Sequence, residues 1–193
     1  MDSIFTINYT GTIPFFWHDA AINFFDAVDF LLESGLIEKD KIRIRFFTKV
    51  PDKIKKELAK NNNLKKVVII NDWVSHKESL KYQSESDLLL LLGGILEEHK
   101  KIDTGKIYEY LIAKKPILAL DFEDSHSGKI IKKTNTGKVV LAGNKKEIAQ
   151  TIQRYYDDFY GSGISYNPNN EEIQEYNYQS IAKKLNFLLE KLL

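Results

Sequence analysis

Three short runs in this chain are apolar at every position: Val67–Ile70, Leu88–Leu92 and Ile117–Leu120. A strand with one face in water alternates apolar and polar residues, so an unbroken run implies burial on both faces. Longer stretches with helical spacing lie between the runs. Asp19–Leu32 carries Ala21, Phe24, Phe25, Val28, Leu31 and Leu32 on one stripe. Asp52–Lys60, Glu78–Gln83, Lys106–Lys114, Ser127–Lys133 and Lys145–Phe159 read as further helices. Ile4–Tyr9, Ile42–Phe47 and Val139–Leu141 complete the strands. Strands alternating with helices specify an α/β domain. The expectation is a doubly wound, Rossmann-like parallel sheet of about six strands with helices on both faces.

The tail departs from this alternation. Gly161–Asn170 is a loop by its Gly, Ser, Pro and Asn content. Glu171–Leu193 reads as an extra C-terminal helix, with Tyr178, Ile181, Ala182, Leu185, Leu188, Leu189 and Leu192 on its apolar face. It follows a helix rather than a strand, so it is not another βαβ unit. The expected organisation is a Rossmann-like domain over 1–160 and a loop with a terminal helix over 161–193.

Composition narrows the function. The chain is 43% hydrophobic and 28% charged, which suits a packed domain and not a disordered one. Without cysteine it can have no disulfide framework, thiolate zinc site, iron–sulfur cluster or catalytic thiol. A net charge of +1 gives no support to a nucleic-acid partner. No apolar run approaches the ~20 residues of a membrane helix. Met1–Ser3 leads into Ile4–Ile7 without the basic segment of an export signal. The expectation is a cytoplasmic chain, and this opening also fits a domain cut from a longer one.

In open α/β sheets ligands bind beyond the carboxyl ends of the strands. That rule selects Thr10–Thr12, Thr48–Lys49, Asn71–Val74, Gly93–Gly94, Asp121–Asp124 and Ala142–Asn144, although most such loops are plain connections. The segment Thr104-Gly105-Lys106 after Asp103 is more specific. Thr104 is a good N-cap, Gly105 admits close approach to the backbone, and free amides beside Lys106 suit a phosphate. Glu109 is the one acid among Ile107, Tyr108, Tyr110, Leu111, Ile112 and Ala113. It lies five residues after Thr104, too far for a capping box, so it needs another partner. A structural ion pair and ligand hydroxyls account for it equally well. The other signals are weaker. Asp124-Ser125-His126-Ser127 holds triad residue types, but adjacent residues cannot converge as a triad, and a helix N-cap cluster explains them. Gly128-Lys129 lacks the spacing of a phosphate loop, and Gly11 alone is no dinucleotide fingerprint. His18, His76, His99 and His126 lack metal-ligand spacing, and no metal is expected.

The order of motifs resembles the C-terminal, donor-binding domain of GT-B glycosyltransferases, close to glycosyltransferase family 4. Ile7–Thr12 resembles that domain's opening strand and turn, and Ser86–Leu92 its strand before the donor site. Gly105–Ala119 is similar to its donor-binding helix and following strand. Thr134–Gly137 resembles the next turn, and Ile181–Leu185 the terminal helix that crosses back to the other domain. The resemblance implies a nucleotide-diphosphate-sugar donor and no metal. It implies ribose hydroxyls on Glu109, the diphosphate against Thr104, Gly105 and Lys106, and the nucleobase along Trp73–His76, with Val74 and His76 in reach. Gly11 and Thr12 form the first turn of that site. The family's first glutamate, eight positions before Glu109, is Lys101 here. Its basic pair is missing, because no Lys or Arg occurs from Met1 to Glu38. Lys49 and Lys106 are the nearest substitutes.

The resemblance further implies a missing N-terminal acceptor domain. It implies transfer of a sugar to a cell-surface glycan or lipid-linked saccharide, and contact with the inner face of a membrane only through the absent half. The isolated domain would be inactive alone, and the catalytic residues cannot be named from this half. The alternative is a non-catalytic nucleotide-sugar or partner-binding module of the same fold.

Overall fold

The computed structural model describes residues 3–102, 104–177 and 180. Strands β1 (Phe5–Thr10), β2 (Ile42–Phe47), β3 (Val68–Asn71), β4 (Leu88–Leu92), β5 (Ile117–Leu120) and β6 (Gly137–Val140) form one sheet. Their order is β3-β2-β1-β4-β5-β6, and every neighbouring pair is parallel. The connections carry helices α1 (His18–Glu33), α2 (Asp52–Lys60), α3 (Leu64–Val67), α4 (His76–Ser84), α5 (Lys106–Ala113) and α6 (His126–Thr134). Helices α7 (Lys145–Tyr160) and α8 (Asn170–Gln174) follow the last strand. This is the Rossmann-like arrangement expected. No helix among the described residues is long and apolar enough to cross a membrane.

Period-two alternation assigns each strand residue to a face. Phe5, Ile7 and Tyr9 of β1, Ile42, Ile44 and Phe46 of β2, and Leu88, Leu90 and Leu92 of β4 join the larger core. There they pack with Phe24, Phe25 and Val28 of α1 and Ile148 and Ile152 of α7. Leu89, Leu91, Ile117 and Ala119 face the other way, against Ile107, Tyr110 and Leu111 of α5 and Ile130 and Ile131 of α6. The unbroken runs in β4 and β5 are therefore buried throughout, as predicted.

The identical-looking run Val67–Ile70 is not. Val67 ends the short helix α3, which the periodicity did not reveal, and β3 pairs with β2 alone. At this edge Ile69 and Ile70 are 43% and 40% exposed. An edge strand has no neighbour on its outer side and little helix over it, so local sequence overstates its burial.

Other boundaries move, and β6 runs over Gly137–Val140 instead of the predicted Val139–Leu141. Helix α4 begins at His76 and not Glu78, because Ser75 and Glu78 form a reciprocal capping box. Thr104 is not the N-cap of α5: that position is Gly105, without a side-chain cap, and Thr104 Oγ1 only receives the Lys106 amide at 3.4 Å. Within the segment predicted as helix 171–193, the described residues form α8, which starts at Asn170 and is closed by Glu175, and Ser180 is helical again. The apolar positions proposed beyond it (Tyr178, Ile181, Ala182, Leu185, Leu188, Leu189 and Leu192) lie outside the described residues, as do Met1, Asp2 and Asp103. The Asp124–Ser127 segment is the N-cap cluster expected, with Ser125 Oγ accepting from the Gly128 amide.

Candidate functional site

A cleft of ≈ 320 Å³ opens beyond the carboxyl ends of β1 and β3. Gly11 and Thr12 from the β1 turn, Trp73, Val74 and His76 from the β3 loop and α4, and Lys106 and Glu109 from α5 all line it. Six of the nine residues expected at a donor site thus converge: Gly11, Thr12, Val74, His76, Lys106 and Glu109. Thr104 is buried and Gly105 exposed beside the start of α5, and neither lines the cleft. Lys49 is exposed in the loop after β2 and stands outside the lining.

Gly11 has φ +87°, a left-handed backbone that side chains other than glycine disfavour. Its bare Cα leaves the path of Lys106, and a Cβ there would sit 2.5 Å from the lysine Cε. Lys106 Nζ donates to the Thr12 carbonyl at 3.2 Å and lies 5.3 Å from the Trp17 ring and 5.5 Å from the Tyr9 ring. Burial lowers its pKa from 10.5 to about 8, against the opposing pull of Glu109. Among the described residues it is the one lysine or arginine lining the cleft.

Glu109 has the partner that capping could not supply, and it is a neutral one. Gln83 Nε2 donates to Glu109 Oε2 at 2.9 Å. The other carboxylate oxygen, Oε1, faces His76 Nδ1 at 3.8 Å. Gln83 is fully buried, and its Nε2 also lies 3.0 Å from Thr10 Oγ1 and 3.1 Å from Ser79 Oγ. Helix α5 is anchored below by Tyr110, whose hydroxyl donates to the Leu90 carbonyl and accepts from the Thr10 amide. Burial pushes the Tyr110 phenol up to about 12, so it stays neutral there.

Phe47, Ser79 and Gln83 were missed from the sequence. Gln83 and Ser79 had a usable signal: the Ser75–Glu78 capping box starts the helix early enough to place residues 76, 79 and 83 along one side. Phe47 had none, since its ring stacks on Tyr82 at 4.0 Å through tertiary packing alone. Of the aromatic run after β1, Trp17 is buried, while Phe15 is 81% exposed. No group of three or more His, Asp or Glu able to hold a metal occurs among the described residues.

No protein-family model matches the chain, and no curated protein matches it by sequence. Solved structures do match it by shape. A glycosyltransferase from Rickettsia africae superposes with a TM-score of 0.70 at 16% identity, covering 99% of this chain and 48% of that one. A variant of S. aureus TarM, solved with fondaparinux, α-GlcNAc-glycerol and UDP, gives 0.68 at 15%, covering 95% and 35%. A putative UDP-N-acetylglucosamine 2-epimerase from Listeria monocytogenes gives 0.56 at 11%, covering 90% and 43%. The likeness is one of fold: this chain has the architecture of one domain of GT-B glycosyltransferases and spans less than half of each of these solved chains.

Proposed function

We propose that this chain is the donor-binding half of a glycosyltransferase that takes a sugar from a nucleotide-diphosphate sugar. The observation that carries the reading is the convergence of Gly11, Lys106 and Glu109 on one cleft at the sheet's carboxyl end. A carboxylate is an acceptor-only group suited to a pair of ribose hydroxyls. The Lys106 ammonium, beside the turn at Gly11 and Thr12, suits the diphosphate. As the sugar departs, negative charge grows on the diphosphate, and a fixed cation in a half-buried site stabilises that charge. Lys106 would then replace the absent basic pair, since Lys49 stands outside the lining. Trp73 and Val74, with Phe47 behind them, offer apolar surface to a nucleobase.

In this reading residues 1–160 are the donor unit, 161–193 a loop and crossover segment, and the acceptor site belongs to a further domain. The acceptor is a cell-surface glycan or lipid-linked saccharide, and the place of action is the cytoplasm or the inner face of its membrane. A non-catalytic nucleotide-sugar module is the second reading. It is favoured by Lys101, exposed at the end of the 3-10 turn Glu97–Lys101, where the family resemblance would have an acid.

The test is calorimetric titration of the chain with UDP, GDP, ADP and CMP, and of Glu109→Ala with the same panel. The reading expects one diphosphate to bind selectively and Glu109→Ala to weaken it at least ~10-fold. A panel that binds nothing, or binding that ignores the substitution, would overturn it. Transfer assays with an acceptor domain supplied in trans separate enzyme from module.

A further inference from the structure

Gln83 is an oddity on its helix. It is 0% exposed, yet α4 is otherwise mostly open, and Gln83, a polar residue, is its one buried residue, more so than Leu80 or Tyr82. Its carboxamide nitrogen meets three acceptors from three elements: Glu109 Oε2 on α5, Thr10 Oγ1 at the end of β1, and Ser79 Oγ one turn back on α4. Its carbonyl oxygen is buried with no partner. Turning the amide over would give that oxygen the two hydroxyls as donors. It would also set it 2.9 Å from a carboxylate oxygen, acceptor against acceptor. The arrangement therefore spends a buried acceptor to keep an N–H on Glu109.

We infer that Gln83 is a positioning residue for ligand recognition, one that pins a single oxygen of Glu109 so that the other is presented to the cleft. The inference rests on the donor-site reading and deepens it. A glutamate has three side-chain torsions and, free, would spread its carboxylate over several rotamers. Held through Oε2, Glu109 keeps Oε1 on the side of His76 and the cleft, in line to accept from a vicinal diol. The Thr10 link ties the same amide to the residue before Gly11, so the ribose grip and the diphosphate turn are set by one side chain. The ligand class that gains from this is a ribonucleoside diphosphate rather than its 2′-deoxy counterpart. Pinning matters only where a hydroxyl must meet a fixed oxygen.

The experiment compares UDP and 2′-deoxy-UDP binding by calorimetry on the 193-residue chain, Gln83→Met and Gln83→Glu, with thermal melts to establish folding. Unsubstituted protein should prefer UDP by ~10-fold, the scale of one hydrogen bond to a charged group. Gln83→Met should cut that preference to within ~2-fold while still binding both. Gln83→Glu should lose ~10-fold in UDP affinity at pH 8, where two carboxylates face each other. It should recover most of it near pH 5, where they share a proton and one again donates. Each Gln83→Glu affinity is read as a ratio to the unsubstituted chain at the same pH, so that loss of the Lys106 ammonium near pH 8 cancels. A space-filling residue would leave that ratio constant, and Gln83→Met carries the test if Gln83→Glu fails to fold. UDP binding whose ribose preference survives Gln83→Met overturns the positioning role and leaves the donor site standing. Where the panel selects GDP or ADP, that diphosphate and its 2′-deoxy form replace the UDP pair, and absence of binding of UDP, GDP and ADP alike by the unsubstituted chain overturns both.

Discussion

The two faces of strand β1 are built from opposite chemistry. Phe5, Ile7 and Tyr9 point into the larger core against α1, and each is fully buried among apolar neighbours. Asn8 and Thr10 point the other way and are equally buried, but among polar groups. Asn8 donates to the Tyr82 carbonyl and accepts from Arg45 Nε, while Thr10 receives Gln83. One face is dry and carries stability. The other is a hydrogen-bonded layer under α4 that leads directly to Glu109. A buried polar layer holds little net free energy, but each group has a defined direction, which is what a recognition site requires.

The comparison breaks most visibly on the dry face. Phe46→Ala removes a fully buried ring that packs on Tyr9 and Phe25, and should cost about 3–5 kcal/mol of stability in denaturant titration. If instead Phe46→Ala spares stability, the division of labour fails. Glu109→Ala should do the reverse: a ~10-fold or greater loss of nucleotide affinity, with a melting shift below ~3 °C. Gly11→Ala comes next. Its φ of +87° and the closeness of Lys106 predict a weakened diphosphate site with a stability loss of about 1 kcal/mol, read by paired calorimetry and melts.

Lys106 sharpens the contrast through pH. Its folded pKa of about 8 lies below the unfolded value of 10.5, so between those values the unfolded chain binds more protons. The lysine therefore opposes folding below pH 8, and stability should rise with pH across roughly 8–10.5 relative to Lys106→Met. Diphosphate affinity should fall earlier, as the folded ammonium is lost around pH 8, and Lys106→Met should abolish that dependence. The smallest effect belongs at the sheet edge. Ile70→Thr should stay within about 0.5 kcal/mol of the unsubstituted protein in denaturant titration, since Ile70 is already 40% exposed.

Much of this was legible in the residues. The runs Leu88–Leu92 and Ile117–Leu120 announce central strands, because only a strand covered on both sides tolerates apolar residues at every position. The cleft's Lys106 and Glu109 stood out for their local oddness, a lysine at a helix start and an acid in an apolar helix, whereas Gly11 came only from the strand-end rule and the family resemblance. Val67–Ile70 misled because exposure depends on the strand's place in the sheet, and nothing within four residues encodes its neighbours. Lys49 shows a related limit: a cation near the right strand end need not line the cleft.

The sequence by itself determined the element types (the short helix α3 excepted), the parallel sheet and the odd residues at its carboxyl end, since these follow from periodicity and local backbone chemistry. Only the tertiary structure decided who meets whom. Gln83 reaches Thr10 across 73 positions and Glu109 across 26. That meeting comes from the order of strands, which sets β1 between β2 and β4 and brings α4 against α5 above it. Hydrogen bonds act over about 3 Å, whereas sequence patterns record only which face a residue takes, and so the direction of the Glu109 carboxylate is a property of the packed molecule alone.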